Sequence, residues 1–152
     1  MDDTGFDVDL RDRPIEYVAT GIVVKDGKML LVHHKKLKMW LPPGGHIEKN
    51  ELPSECVVRE MKEETGFDVE IVNKPLEKVS SSLPLPVPNW TQLEDIQGTH
   101  WHFDFMFLCD IVGGELQKSH ESNDVKFLGL DEILALKDTT NDMKLLAKML
   151  LA

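Results

Sequence analysis

Three carboxylates, Glu60, Glu63 and Glu64, stand in the run Arg59-Glu60-Met61-Lys62-Glu63-Glu64-Thr65-Gly66-Phe67, with Gly45 and Glu51 upstream. Steps of three and four residues gather them on one stripe of a helix, over about 100° of its circumference at about 100° per residue. Like charges so placed repel one another unless a cation joins them. Oxygen-only ligands favour a hard ion, Mg2+ or Mn2+, over zinc. Such an ion binds phosphate oxygens and acidifies a coordinated water until it can attack phosphorus, so a diphosphate linkage is the logical substrate. Arg59 flanks the stripe, where its forked guanidinium can hold Glu51 or Glu60 in place.

A helix must carry these groups, and the chain brackets one. Pro53 fits only a first turn and Gly66 suits the left-handed position past a helix end, which predicts a helix from about Leu52 to Thr65. Ser54, Val57, Val58 and Met61 fall on the arc beside the carboxylates and are expected to face the core. Cys56 lies one turn before Glu60 and reads as a small residue tolerated beside the site rather than a reactive thiol. Gly44 and Gly45 serve the turn before the helix, and their bare backbone can approach metal and phosphate closely.

Around this helix, Tyr17–Val24 and Met29–His33 are rich in branched apolar residues and read as a hairpin through Lys25-Asp26-Gly27-Lys28. The stretch 40–45 is a turn-rich approach to the carboxylates. Phe67–Val72, Trp101–Ile111 and Val125–Leu130 are expected strands, and Leu83–Gly98 a proline-interrupted loop. Asp131 is placed to cap a short helix through Leu136, and a last helix runs from about Asn141 to Leu150. Strands interleaved with a few helices predict an α/β sandwich with a mixed sheet between helices.

Outside the helix three features carry chemistry. His100, His102 and Asp104 alternate with Trp101, Phe103, Phe105 and Phe107, so the imidazoles and carboxylate share one strand face. That face can line a substrate cavity or hold a metal of its own. Lys35 and Lys36, in the only concentrated basic run, either meet substrate phosphates or sit in a solvated turn. Trp90, after alternating prolines, either packs in a surface arm or stacks on a nucleobase.

With 152 residues, 41% apolar and 29% charged, the chain reads as one soluble globular domain. Residues 1–14 form an acidic arm and 15–152 the domain. A net charge of −10 opposes binding to nucleic acid and acidic membrane. Cys56 and Cys109 belong to no spaced set, so a disulfide framework is not expected. The N-terminus lacks a signal-peptide pattern and no apolar run reaches spanning length, which makes a cytoplasmic location the expectation.

From Gly45 to Phe67 the chain matches, at every defined position, the signature box of the Nudix hydrolases, and it resembles that family. The resemblance implies an α/β/α sandwich in which Glu60, Glu63 and Glu64 ligate divalent ions. Glu60 can double as base, the Gly44 carbonyl can add a ligand, and Arg59 and Glu51 support. An extra acid often comes from a later loop; Glu121 is the best candidate, with Glu115 and Asp124 as alternatives. The implied reaction is hydrolysis of a nucleoside triphosphate, or of a nucleoside diphosphate linked to another group. The substrate would then be a small nucleotide-type molecule, and a homodimer is consistent with the family. Rival readings are a nucleotide-binding regulator without turnover and an RNA 5′-end pyrophosphohydrolase, the latter disfavoured by the lack of an extended basic track.

Overall fold

A computed structural model describes residues 12–152. Most of the expected acidic arm therefore lies outside the described residues. Its end is docked: Arg13 Nη1 donates to Asp95 at 2.6 Å, its guanidinium lies 3.9 Å over the Trp101 ring, and the Pro14 carbonyl accepts from the Trp101 amide.

The strands are β1 (Ile15–Ile22), β2 (Val24–Lys25), β3 (Lys28–His34), β4 (Met39–Leu41), β5 (Gly44–His46), β6 (Phe67–Ile71), β7 (Trp90–Ile96), β8 (His100–Gly114) and β9 (Ser122–Gly129). The helices are α1 (Pro53–Thr65), α2 (Leu130–Ala135) and α3 (Asn141–Leu151). One mixed sheet runs β5-β1-β8-β6, with β7 also on β8. Its centre is the parallel pair β1 and β8, from Ile15 opposite Trp101 to Ile22 opposite Leu108. In the second sheet β3 pairs with β2, β4 and β9, all antiparallel.

Alternation along the strands divides the core. Leu30 and Val32 of β3 join Ala19, Phe107 and Cys109 against Val57 and Met61 of α1. Met29 and Leu31 join Ile22 and Met106 against Ile133, Met143, Leu146 and Ala147 of α2 and α3. The sheets are thus a middle layer with α1 on one side and α2 and α3 on the other. This is the expected α/β/α sandwich. Among the described residues no helix is long and apolar enough to cross a membrane.

Four local expectations change. The chain leaves the first sheet at Ile22, so the hairpin is made by β2 and β3, while β1 pairs with β8 and β5. Its turn is as expected: Asp26 and Gly27 have φ of 52° and 73°, the left-handed pair of a tight two-residue connection. Within the predicted 83–98 loop, the prolines end at Pro88 and the next residues form β7, recruited by the long edge of β8. The approach to α1 holds the short strands β4 and β5. Gly129, not Asp131, is the N-cap of α2, its amide donating to Glu132 Oε1 at 3.1 Å.

Candidate active site on helix α1

Helix α1 starts and stops where its punctuation requires. Pro53 occupies the first turn, the Leu52 amide donates to Glu55 Oε1 at 2.9 Å, and Gly66 closes the helix at φ 80°. A side chain at Gly66 would strike the Glu115 carbonyl, so glycine is needed there for space as well as for φ. Cys56, Val57 and Met61 are buried. Val58 instead is exposed, and with Ser54, Arg59, Ile71 and Pro86 it lines an open cavity of about 440 Å³ under the proline-rich arm.

Arg59 organises the carboxylates. Its Nε and Nη2 grip Glu51 at 2.7 and 3.1 Å, and Nη1 reaches Glu60 at 3.0 Å and Glu63 at 3.2 Å. The sequence offered Glu51 or Glu60 as its partner, and the guanidinium takes both. It holds the Glu51 carboxyl below the usual range, while the acids around it raise its own pKa. Nη2 also donates to the His46 carbonyl at 3.2 Å, tying α1 to β5.

Strand β5 shapes the other wall. The Gly44 amide donates to Glu64 Oε2 at 3.3 Å, and a Cβ on Gly45 would collide with the Glu60 carboxyl. Cys56 Sγ–H donates to the carbonyls of Gly45 and His46 at 3.6 and 3.5 Å. Burial raises the pKa of this thiol to about 12, and that of Cys109 likewise. Both cysteines are free and buried.

Burial drives Glu60 and Glu64 above the normal carboxylate range, and the charge and contact of Glu60 push Glu64 up further. The charge of Glu121 adds to the effect on Glu64, so the fold brings this later acid into the electrostatic neighbourhood of the box. Two crowded carboxyls with one cation beside them are short of positive charge. An all-oxygen donor set of this kind fits a hard divalent ion.

Lys35 and Lys36 sit in the exposed turn after β3, where the Lys35 amide donates to the Glu121 carbonyl at 3.1 Å. Trp90 is not in a loop: it opens β7 opposite Met106 and packs against the cluster shared with α3.

The face of the sheet turned away from α1 carries a second polar group of residues. His100, His102 and Asp104 share it, as expected. Asp104 is buried, accepts from Thr20 Oγ1 at 2.9 and 3.0 Å, and contacts Glu94. Burial and Glu94 hold its pKa well above the ordinary value. Nε2 of His100 and of His102 lie 3.1 Å apart, and both approach Glu16 Oε2, at 3.0 and 3.6 Å. His46 Nε2 approaches the same oxygen at 3.4 Å, and its ring meets His102 edge-on. Contact with the imidazoles, that with His46 foremost, lowers the pKa of Glu16, and burial foremost lowers that of His102. Glu16, His100 and His102 form a cluster able to coordinate a divalent metal.

Glu16, Thr20, His46 and Glu94 were missed from sequence. The one available signal was period two: Glu16 and Thr20 are the polar residues on one side of an otherwise apolar β1. Glu94 lay hidden in the supposed loop, and His46 depended on the pairing of β5 with β1.

A NUDIX domain model matches residues 16–149. The chain is similar to an ADP-ribose pyrophosphatase of Methanocaldococcus jannaschii, 32% identical over 116 residues, covering 74% of this chain and 61% of the relative. It is also similar to a probable DHNTP pyrophosphohydrolase of Lactococcus lactis, 31% identical over 103 residues, 68% of this chain and 58% of the relative. The chain thus spans less than two thirds of the length of these curated relatives. Among solved structures, a NUDIX-family hydrolase from Clostridium perfringens superposes with a TM-score of 0.74 at 31% identity, covering 90% of this chain and 95% of the other. The domain match over most of the chain, the sandwich and the complete glutamate box held by Arg59 agree, and the chain belongs to the Nudix hydrolase superfamily.

Proposed function

We propose that the chain is a metal-dependent pyrophosphohydrolase that cleaves the diphosphate of a nucleoside diphosphate linked to another group, or of a nucleoside triphosphate, by attack of water on phosphorus. The observation that carries this reading is the crowding of Glu60 and Glu64 beside Gly44 and Gly45, with Arg59 fixing Glu51, Glu60 and Glu63. Glu60, Glu63 and Glu64, with the Gly44 carbonyl, would hold Mg2+ or Mn2+. When bound, the ion supplies positive charge to the diphosphate and acidity to the attacking water.

The chain's own residues supply position. Arg59 takes one oxygen of Glu60 and one of Glu63, and the Gly44 amide orients Glu64. The bare backbone of Gly45 leaves room for the Glu60 carboxyl. Glu121, whose charge reaches Glu64, would accept the proton that the water loses. Lys35 and Lys36, joined to the Glu121 loop through the Lys35 amide, offer cations to the outer phosphate. On the face away from α1, Trp90, Thr20 and Asp104 offer an apolar ring and hydrogen-bonding groups to the nucleoside. The likeness to an ADP-ribose pyrophosphatase puts ADP-ribose first among the substrates to try.

The test is product release from ADP-ribose, nucleotide sugars, dinucleotides, and canonical and oxidised nucleoside triphosphates, with Mg2+ or Mn2+. Folded Glu63→Gln and Glu64→Gln proteins should lose roughly 10²–10⁴-fold in kcat. Wild-type turnover in both would sink the reading. Nucleotide binding without turnover in the unaltered protein would instead make it a regulator.

A further inference from the structure

We propose that Glu16, His100 and His102 form a second metal site, distinct from the glutamate box, which takes a divalent ion of the zinc class through two imidazole nitrogens and one carboxylate oxygen. The three ligand atoms already converge, at 3.0, 3.1 and 3.6 Å from one another. Around a tetrahedral ion with bonds of about 2.0–2.1 Å, neighbouring donors stand about 3.3 Å apart. The strands hold this geometry, since Glu16 of β1 is directly opposite His102 of β8, and His100 is two residues along on the same face.

Hydrogen bonding outside the cluster selects the ligating tautomer. Thr99 Oγ1 donates to the Ile96 carbonyl at 2.9 Å, so towards His100 Nδ1, 2.7 Å away, its oxygen can only accept. His100 Nδ1 therefore carries the hydrogen and leaves the Nε2 lone pair facing Glu16 Oε2 and His102 Nε2. An outer partner that fixes the free nitrogen in this way is characteristic of metal-ligating histidines. Without a cation, lone pairs confront one another at about hydrogen-bond distance. A proton on one nitrogen relieves one contact, whereas an ion at the centre serves all three.

Donor type separates the two sites. Imidazole nitrogen with one carboxylate suits zinc, nickel, iron or copper, and Mg2+ has little use for it. Alternation along β5 separates them in space: Gly45 faces the Glu60 carboxyl, while the next side chain, His46, turns to the opposite face and Glu16. The His46 ring is 62% exposed, and a rotation would bring its Nε2 in as fourth ligand.

Metal-free protein titrated with Co2+ tests this through visible ligand-field bands, a readout independent of hydrolysis. One equivalent should bind with a four-coordinate spectrum, persist in excess Mg2+ and persist in Glu64→Gln. His102→Ala and Glu16→Gln, checked for folding by circular dichroism, should each weaken binding at least about tenfold, and His46→Ala by less. Zn2+ should displace the cobalt. Absence of the bands, or their loss in Glu64→Gln with retention in His102→Ala, would overturn the site. If His102→Ala does not fold, Glu16→Gln decides, because its side chain is already half exposed.

Discussion

Two sites of this molecule, the glutamate box and the Glu16 cluster, shift their carboxylates in opposite directions. On α1, Glu60 and Glu64 are crowded together under partial burial, and their pKa values rise. On β1, Glu16 stands among three imidazoles near solvent, and its pKa falls. The first region has too much negative charge and only oxygen donors; the second has nitrogen donors and one acid. Carboxylates alone thus say little about which ion a site prefers, whereas what stands beside them says a great deal.

The largest separation between the regions should come from Arg59→Ala. It releases Glu51, Glu60 and Glu63 together, and a displacement of about 1 Å at a reacting centre can reduce rate by about 10²-fold. Steady-state kinetics should show that fall, with the cobalt spectrum of the strand cluster largely kept. Equal damage to both would mean that the two regions are one unit, joined through the His46 carbonyl.

A smaller effect distinguishes them by pH. Glu51 has a folded pKa below its unfolded value because Arg59 grips it. Its stabilising contribution is therefore fully present above the unfolded value of about 4.3 and lost as pH falls through the lower folded value. Glu51→Gln should cost about 1 kcal/mol at neutral pH, and much less at pH 3. Thermal unfolding across that range checks it, and a deficit independent of pH would show that the ion pair is not the cause.

The smallest expected effect concerns the thiols beneath the box. With pKa values near 12, Cys56 and Cys109 should resist a disulfide reagent at pH 8 in native protein and react promptly once unfolded. Rapid native labelling of Cys56 would show that the backbone joint between the regions opens readily.

Much of α1 was legible because its signals are local: Pro53, Gly66 and the spacing of three glutamates all lie within one element. Arg59 was legible as a clamp for the same reason. The period of two in β8 also read correctly, yet the burial of Asp104 did not, since it depends on Thr20 and Glu94 from strands 84 and 10 residues away. β7 was hidden because Thr91-Gln92-Leu93-Glu94 has little apolar character of its own and becomes a strand only by pairing with β8. Val58 was misplaced because a helix arc fixes direction, while the sheet and the proline arm decide what lies there.

Strand β5 has a further meaning for folding fidelity. It pairs with β1 through only three positions, His46 opposite Val18, Gly45 opposite Ala19 and Gly44 opposite Thr20. A slip by one residue would push a side chain into the Glu60 carboxyl or the Ala19 carbonyl, which only glycine clears. The two glycines therefore act as an alignment key: a misthreaded chain cannot close, and a chain that closes has its glutamates and histidines already sorted to their proper sides.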